Sequence, residues 1–420
     1  MTNQGPWKTD RWFSSPWNYL PEVTRSFRLP ERVVVHDVTL RDGEQQAGVE
    51  FTADEKLRIA EALAEAGVHR IEAGLPAVSP ADEEAVRRIA AAGFGSEIYA
   101  FSRCMVDDVK LAVDCGVSGV VMEIPSSHHM IEAAYRWPLE RALEASMEAT
   151  SYAHKQGLEV SFFPIDATRA GMVELLADLE AVATGGHVDS VGLVDTFGVI
   201  SPHAVSFFAR NVRERLGVPL ETHFHMDFGL GVANTLLAVA EGAGVIQTTV
   251  AGIGERAGNA PMEETLLALL TMYGIDTGVR TERFYELSRL VLDLAGVSQP
   301  SNRPVTGERL FHVESGIIAT WIKNCGPGLI TEAFPYRPEL VGQGPLQIVL
   351  GKGSGTDSVA IWLDRLGLAW ENLEQLKAIL AEVKAASLVK KGLLDEEEFR
   401  TIVTRVLPES TGGSGPRKVP

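Results

Sequence analysis

Cysteine is scarce in this chain. There are three in 420 residues, Cys104, Cys115 and Cys325. They are too few and too scattered for a disulfide framework or a paired-cysteine zinc site. A reducing cytoplasm is the expected setting. Positive charge is also scarce: 38 lysines and arginines face 56 acidic residues, a net charge of −18. That balance disfavours general binding to nucleic acid or an anionic membrane, because phosphate is repelled. No apolar run approaches the ~20 residues that a membrane helix needs. The opening MTNQGPWKTDRWFSSPW is polar and aromatic and lacks the apolar core of a signal peptide. No Gly-x-Gly-x-x-Gly follows the first β-rich run, which weakens a dinucleotide-binding reading.

What is present fits a folded protein. Hydrophobic residues make up 45% and charged residues 22%, ordinary proportions for a globular chain. At about 150 residues per domain, the length suggests two to three domains or one large barrel with an appendage. Residues 1–30 carry Trp7, Trp12, Phe13, Trp17 and Tyr19 among several prolines. They read as an extended aromatic arm that packs on its own domain or on a second subunit.

From residue 31 to about 275, short β-rich runs alternate with helical spacing. The runs are 33–37, 69–74, 96–101, 119–124, 158–163, 188–194, 220–225 and 245–250. A helical stretch follows each, and Thr52 to Glu55 opens the first like a capping box. Eight β–α units predict an α/β fold, a (β/α)8 TIM barrel, with a doubly wound open sheet as the competitor. Residues 276–330 read as a helical linker and 331–408 as a small, mainly helical C-terminal subdomain. Residues 409–420 read as a mobile tail.

In such a barrel, functional side chains sit at the C-terminal ends of the strands. Strand one ends in HDVTLRDGEQ (36–45) and strand seven in HFHMD (223–227). His223 and His225 are two apart on a strand, so both point to one face. Asp42 can add an oxygen ligand, since only strand eight separates strands one and seven. Two imidazoles and a carboxylate suit Mn, Zn, Fe or Mg, and the residues do not choose among these metals. Arg41, beside Asp42, could stabilise charge developing on an enolate or carbonyl oxygen; the bland alternative is a surface ion pair. The glycines of AGIGERAGN (251–259) allow close backbone approach to a ligand.

HDVTLRDGEQ, HFHMDFGLGVAN and GIGERAGN, in that order and at those strand ends, resemble the DRE-TIM metallolyases. Within them the chain resembles the isopropylmalate, homocitrate and citramalate synthase group. FHVESGI (311–317), PELVG (338–342) and IVLGKGSG (348–355) extend the likeness beyond the barrel. The resemblance implies a divalent metal on Asp42, His223 and His225, with Asn259 at a further ligand position. It implies oxyanion stabilisation by Arg41, and an oxo-acid pocket lined by Gln45, Glu72, Arg103 and Thr196, with Arg103 holding the distal end. His129, near the same rim, is a spare candidate for catalysis. The implied reaction is condensation of an acyl-CoA, acetyl-CoA foremost, with a 2-oxo acid to give a 2-hydroxy dicarboxylate. A homodimer is implied too. At this length the regulatory domain of leucine-inhibited isopropylmalate synthases is expected to be absent.

Three positions depart from that group. Ile165 stands where it carries a glutamate after strand five, Ile318 where the linker has a histidine, and Ala333 where a tyrosine is common. Those residues are implicated in acid–base work on the acetyl-CoA half of the reaction, and isoleucine transfers no proton. Electrophile activation is therefore expected to be kept and nucleophile activation to be changed. His129, His312 or Tyr336 could act as a replacement base. Alternatively, the protein is a CoA-independent aldolase or lyase. A non-catalytic binding role is a third reading, disfavoured by the intact metal set.

Overall fold

A computed structural model describes residues 5–408; the expected tail, 409–420, lies outside them. The described residues form two compact units.

The first unit comprises Ser15–Pro300 with Pro304–Thr306. Its centre is a closed parallel barrel of eight strands in sequence order. They are β1 (Val34–Asp37), β2 (Arg70–Glu72), β3 (Glu97–Arg103), β4 (Gly119–Pro125), β5 (Glu159–Ile165), β6 (Ser190–Asp195), β7 (Leu220–Phe224) and β8 (Val245–Thr248). Each falls on one of the eight β-rich runs, and the open-sheet alternative is excluded by the pairing of β1 with β8. A helix follows each strand, because apolar faces at helical spacing can be buried against the barrel wall. The first, Ala53–Ala66, shows how local sequence sets a boundary. Thr52 Oγ1 accepts the Glu55 N–H at 3.3 Å, and Glu55 Oε2 accepts the Thr52 N–H at 2.8 Å. Gly67 ends the helix in the left-handed conformation. Helix Phe284–Ala295 also packs in this unit, against Ala53–Ala66.

The barrel interior is unusually polar. His36 on β1 is fully buried, 3.6 Å from Glu72 and 4.0 Å from Glu221. Burial, with Arg70 and Arg41 nearby, keeps its ring neutral. Glu221 accepts from Ser190 and Ser161 and lies 3.3 Å from Arg70. Beside these groups Tyr99, Phe101, Val121, Phe163 and Val194 pack as an apolar cluster, with Tyr99 edge-on to His36. The charged groups continue past it, from His36 through Glu72 to Arg41 at the strand ends.

The second unit holds residues 5–14, Ser301–Arg303 and residues 307–408. The aromatic arm expected over 1–30 is thus divided, with residues from Ser15 onward in the barrel unit. Within the second unit, the Phe13 N–H donates to Pro335 O, the Arg337 N–H donates to Arg11 O, and Lys8 pairs with Glu332. A two-stranded parallel sheet, β9 (His312–Val313) with β10 (Gln347–Ile348), sits with helices Gly316–Cys325, Thr356–Leu366, Leu373–Lys390 and Glu396–Val406. Val359, Leu363, Ile379, Val383 and Phe399 form their shared core.

Candidate active site

The site is built from residues just past the strand ends. After β1 the chain turns through Asp42 into a short 3-10 turn, Gly43–Gln45. This places Asp42 over the barrel mouth, where β7 delivers His223 and His225. Asp42 Oδ2 lies 3.2 Å from His223 Nε2 and 3.6 Å from His225 Nε2, and the two imidazole nitrogens are 3.2 Å apart. Three ligand atoms converge, and all three side chains are buried.

His223 is oriented from behind. Its Nδ1 donates to Gln247 Oε1 on β8 at 2.8 Å, which turns Nε2 toward Asp42. Burial, helped by the nearby His223, Arg256 and Arg41 and opposed by Asp42, pushes the His225 ring down to about 4, so it is neutral at pH 7. Burial also works against a cation on His223, but the adjacent Asp42 carboxylate outweighs it and raises that ring's proton affinity. Burial would neutralise Asp42 itself; Arg41 and the two imidazoles hold it ionised, well below the usual carboxylate range. The point between these three groups therefore favours positive charge.

Unsatisfied atoms mark the same place. Asp42 Oδ1, His225 Nδ1 and both amide atoms of Asn259 are buried without a hydrogen-bond partner. Such groups cost about 1–3 kcal/mol each when left unmade. Asn259 reaches the site because its backbone bridges His225. The loop before it folds tightly: a Cβ on Gly258 (φ +82°) would lie 1.9 Å from Gly252 O, so only glycine fits there. The donor set, two imidazole nitrogens with a carboxylate and an amide, matches what a divalent cation takes.

Arg41 stands beside this group. Its Nε donates to Glu72 Oε1 at 2.5 Å, and Nη1 lies 3.3 Å from Asp42 Oδ2. The guanidinium also stacks over the Phe101 ring, 4.8 Å from the centroid. Burial works against the cation, and Glu72, Asp42 and Glu123 outweigh it, so the charge is kept. Nη2 remains buried and without a hydrogen-bond partner, with Glu123 3.8 Å away. A buried, charged donor with one free N–H edge is what an oxyanion requires.

The remaining predicted residues are more dispersed. Glu72 lies beneath Arg41 rather than open to a pocket, and burial pushes its carboxyl up to about 7 against the pull of Arg41. Gln45 is exposed on the short turn after Asp42. Thr196, just past β6, accepts the Asp166 N–H at 2.8 Å. Arg103 ends β3 with its guanidinium forked onto Asp108, at 2.7 and 2.9 Å. His129 sits in a short helix, His128–Met130, after β4. Its exposed ring is 3.2 Å from the buried Asp166 carboxylate. Asp166 also accepts from Ser127 and, twice, from Arg169, and it adopts φ +64°. Ile165 precedes it, half-buried at the end of β5. In the second unit, Ile318 packs on the unit's own core, and Tyr336 stacks edge-on against Phe311.

Two residues escaped the sequence reading. Gln247 orients His223, and its signal was a lone amide inside the apolar run VIQTTV. Glu123 faces Arg41, and its signal was an acid at the C-terminal end of GVVMEI.

An arginine, a carboxylate and two histidines at the open end of a parallel barrel define a class, and comparison with known proteins agrees with it. The HMGL-like family model matches residues 32–291, and the chain belongs to that family. The chain is 41% identical to the homocitrate synthase AksA of Methanopyrus kandleri, over 94% of this chain and 97% of the relative. It is 40% identical to a probable 2-isopropylmalate synthase of Ignicoccus hospitalis, over 91% and 94%. Among solved structures, hydroxymethylglutaryl-CoA lyase from Pseudomonas aeruginosa shares the fold, with TM-score 0.59 and 22% identity over 67% of this chain and 98% of that one.

Proposed function

We propose that this chain is a condensing enzyme that joins an acyl-CoA, acetyl-CoA foremost, to a 2-oxo acid and releases a 2-hydroxy dicarboxylate and free CoA. The observation that carries this reading is the buried convergence of Arg41 with Asp42, His223 and His225 at the barrel mouth. The reading is supported by synthase-named relatives that match along more than nine-tenths of the chain.

Asp42, His223, His225 and Asn259 would hold a divalent cation, which when bound polarises the carbonyl and carboxylate of an oxo acid. Arg41 supplies its free Nη2 edge to the oxygen that gains charge as the carbon–carbon bond forms. Glu72 is a positioning residue: its carboxylate fixes the guanidinium from below. Gln45 and Thr196 flank the oxo acid. Arg103 meets its distal end, exchanging Asp108 for the substrate.

The donor thioester must lose an α-proton to attack the ketone carbon, and water must then cleave the thioester. Ile165 and Ile318 cannot take that proton. The pair that can is His129 with Asp166, an imidazole held by a buried carboxylate at the rim. The protein is expected to work in the cytoplasm, as a homodimer.

The same two isoleucines favour a second reading, a CoA-independent aldolase on the same site. An assay of thiol release from acetyl-CoA with a panel of 2-oxo acids, with product masses read in parallel, separates the two. Release that depends on one oxo acid, with the matching adduct, supports the synthase. Cleavage of a 2-hydroxy acid without CoA supports the aldolase.

A further inference from the structure

At the opposite end of the barrel a second group of ligand atoms comes together. His154 lies near the end of helix Leu139–Lys155, and His187 and Asp189 lie just before β6. Their ligand atoms all fall within 4.8 Å of one another. The two imidazoles stack face to face, 3.5 Å between centroids and 20° between planes. His187 Nε2 is 3.0 Å from Asp189 Oδ1.

The arrangement is anchored by backbone. Asp189 Oδ2 accepts the Val160 N–H at 2.8 Å, which leaves Oδ1 directed at His187. The His187 N–H donates to Thr150 Oγ1 at 3.2 Å. Thr150 and His154 are four residues apart on one helix and so share a face. The bond to Thr150 therefore seats His187 against His154. Gly186 makes this approach possible: a Cβ there would lie 2.3 Å from Thr150 Oγ1 and 2.9 Å from Val182 O. The His154 ring makes no hydrogen bond among the described residues and is exposed to incoming ions.

We propose that His154, His187 and Asp189 form a second metal site, taking a transition-metal cation of the Zn2+ or Ni2+ kind. Two imidazoles and one carboxylate are the ligands such ions prefer, with water completing the shell. Ligands about 2.0–2.2 Å from zinc in tetrahedral geometry lie roughly 3.3–3.6 Å apart. Binding requires the exposed His154 ring to turn out of its face-to-face stack with His187, so that its in-plane lone pair points where those of His187 and Asp189 meet. The site lies at the N-terminal end of the barrel, where this fold places stability rather than chemistry. Its cation ties helix Leu139–Lys155 to the start of β6 and raises the melting temperature.

The test is calorimetric titration of Zn2+ into the chelator-stripped full chain, with melting curves recorded in parallel. The wild type should bind two equivalents. His154→Ala and, separately, Asp189→Asn should weaken the same one equivalent at least tenfold and lose the zinc-induced rise in melting temperature. Asp42→Ala should remove the other equivalent and leave this one, so failure of the rim assignment is seen separately. The proposal is overturned if the wild type takes up no equivalent beyond the rim's, or if His154→Ala binds both with unchanged affinity. His154 is exposed, so its alanine variant is expected to fold.

Discussion

The two ends of the barrel each carry two histidines and an aspartate, and they are built differently. At the C-terminal end, Asp42, His223 and His225 are all buried, and an arginine cation lies beside them. At the N-terminal end, His154 is exposed, and His187 and Asp189 remain partly open. The first cluster sits with orphaned buried atoms around it; the second is pinned by the Val160 and Thr150 hydrogen bonds. Burying charged groups destabilises a fold unless each finds a counter-charge. A chain that retains Arg41, Glu72, Asp42 and two histidines in such a place is maintaining a reactive environment. The open cluster bears no such strain and is suited to a structural ion.

That contrast predicts a gradient of effects. The largest comes from His223→Ala or Asp42→Ala, which should abolish condensation and remove the rim-bound metal, as read by elemental analysis. A variant that keeps both metal and activity would erase the distinction between the two ends. His129→Ala should follow, with turnover lowered about 10²–10⁴-fold, the usual contribution of a general base, at unchanged metal content. Arg41→Ala should lower turnover about 10²–10³-fold, the range for a lost oxyanion donor, again with metal retained. Gln247→Ala removes the support behind His223, and metal affinity at the rim should fall about 10–100-fold, measured by competition with a chelator. The smallest effect belongs to the other end: His154→Ala should leave turnover with the oxo acid unchanged while altering zinc-dependent melting.

Much of this was legible in the sequence. The eight β-rich runs coincide with the eight strands because parallel barrel strands are buried on both sides and read as apolar. The capping box at Thr52 and Glu55 announced its helix, since both hydrogen bonds are local. Asp42, His223 and His225 could be grouped from strand periodicity and the order of a closed barrel, which places β1 and β7 on either side of β8.

What could not be read depended on partners far away in the chain. The hydrogen bond by which Glu72 underpins Arg41 joins residues 31 apart in the chain. The pairing of Arg103 with Asp108 is set by the helix that follows β3. The role of Gln247 depends on a neighbouring strand 24 residues away. The division of the arm between units rests on Phe13 and Arg337, whose backbone partners are more than 300 residues distant. The cluster at the N-terminal end escaped notice because His154 and His187 lie on separate elements, brought together by a glycine and one threonine hydroxyl.

The most direct test of the central claim is one series of thiol-release measurements from acetyl-CoA, with the wild type, chelated wild type, Arg41→Ala and His154→Ala. The account predicts release that requires a particular 2-oxo acid, yields the adduct mass, and is lost on chelation. Release should fall by about two to three orders of magnitude in Arg41→Ala and stay intact in His154→Ala. No release with any oxo acid from metal-loaded wild type, or equal release from Arg41→Ala, would contradict it.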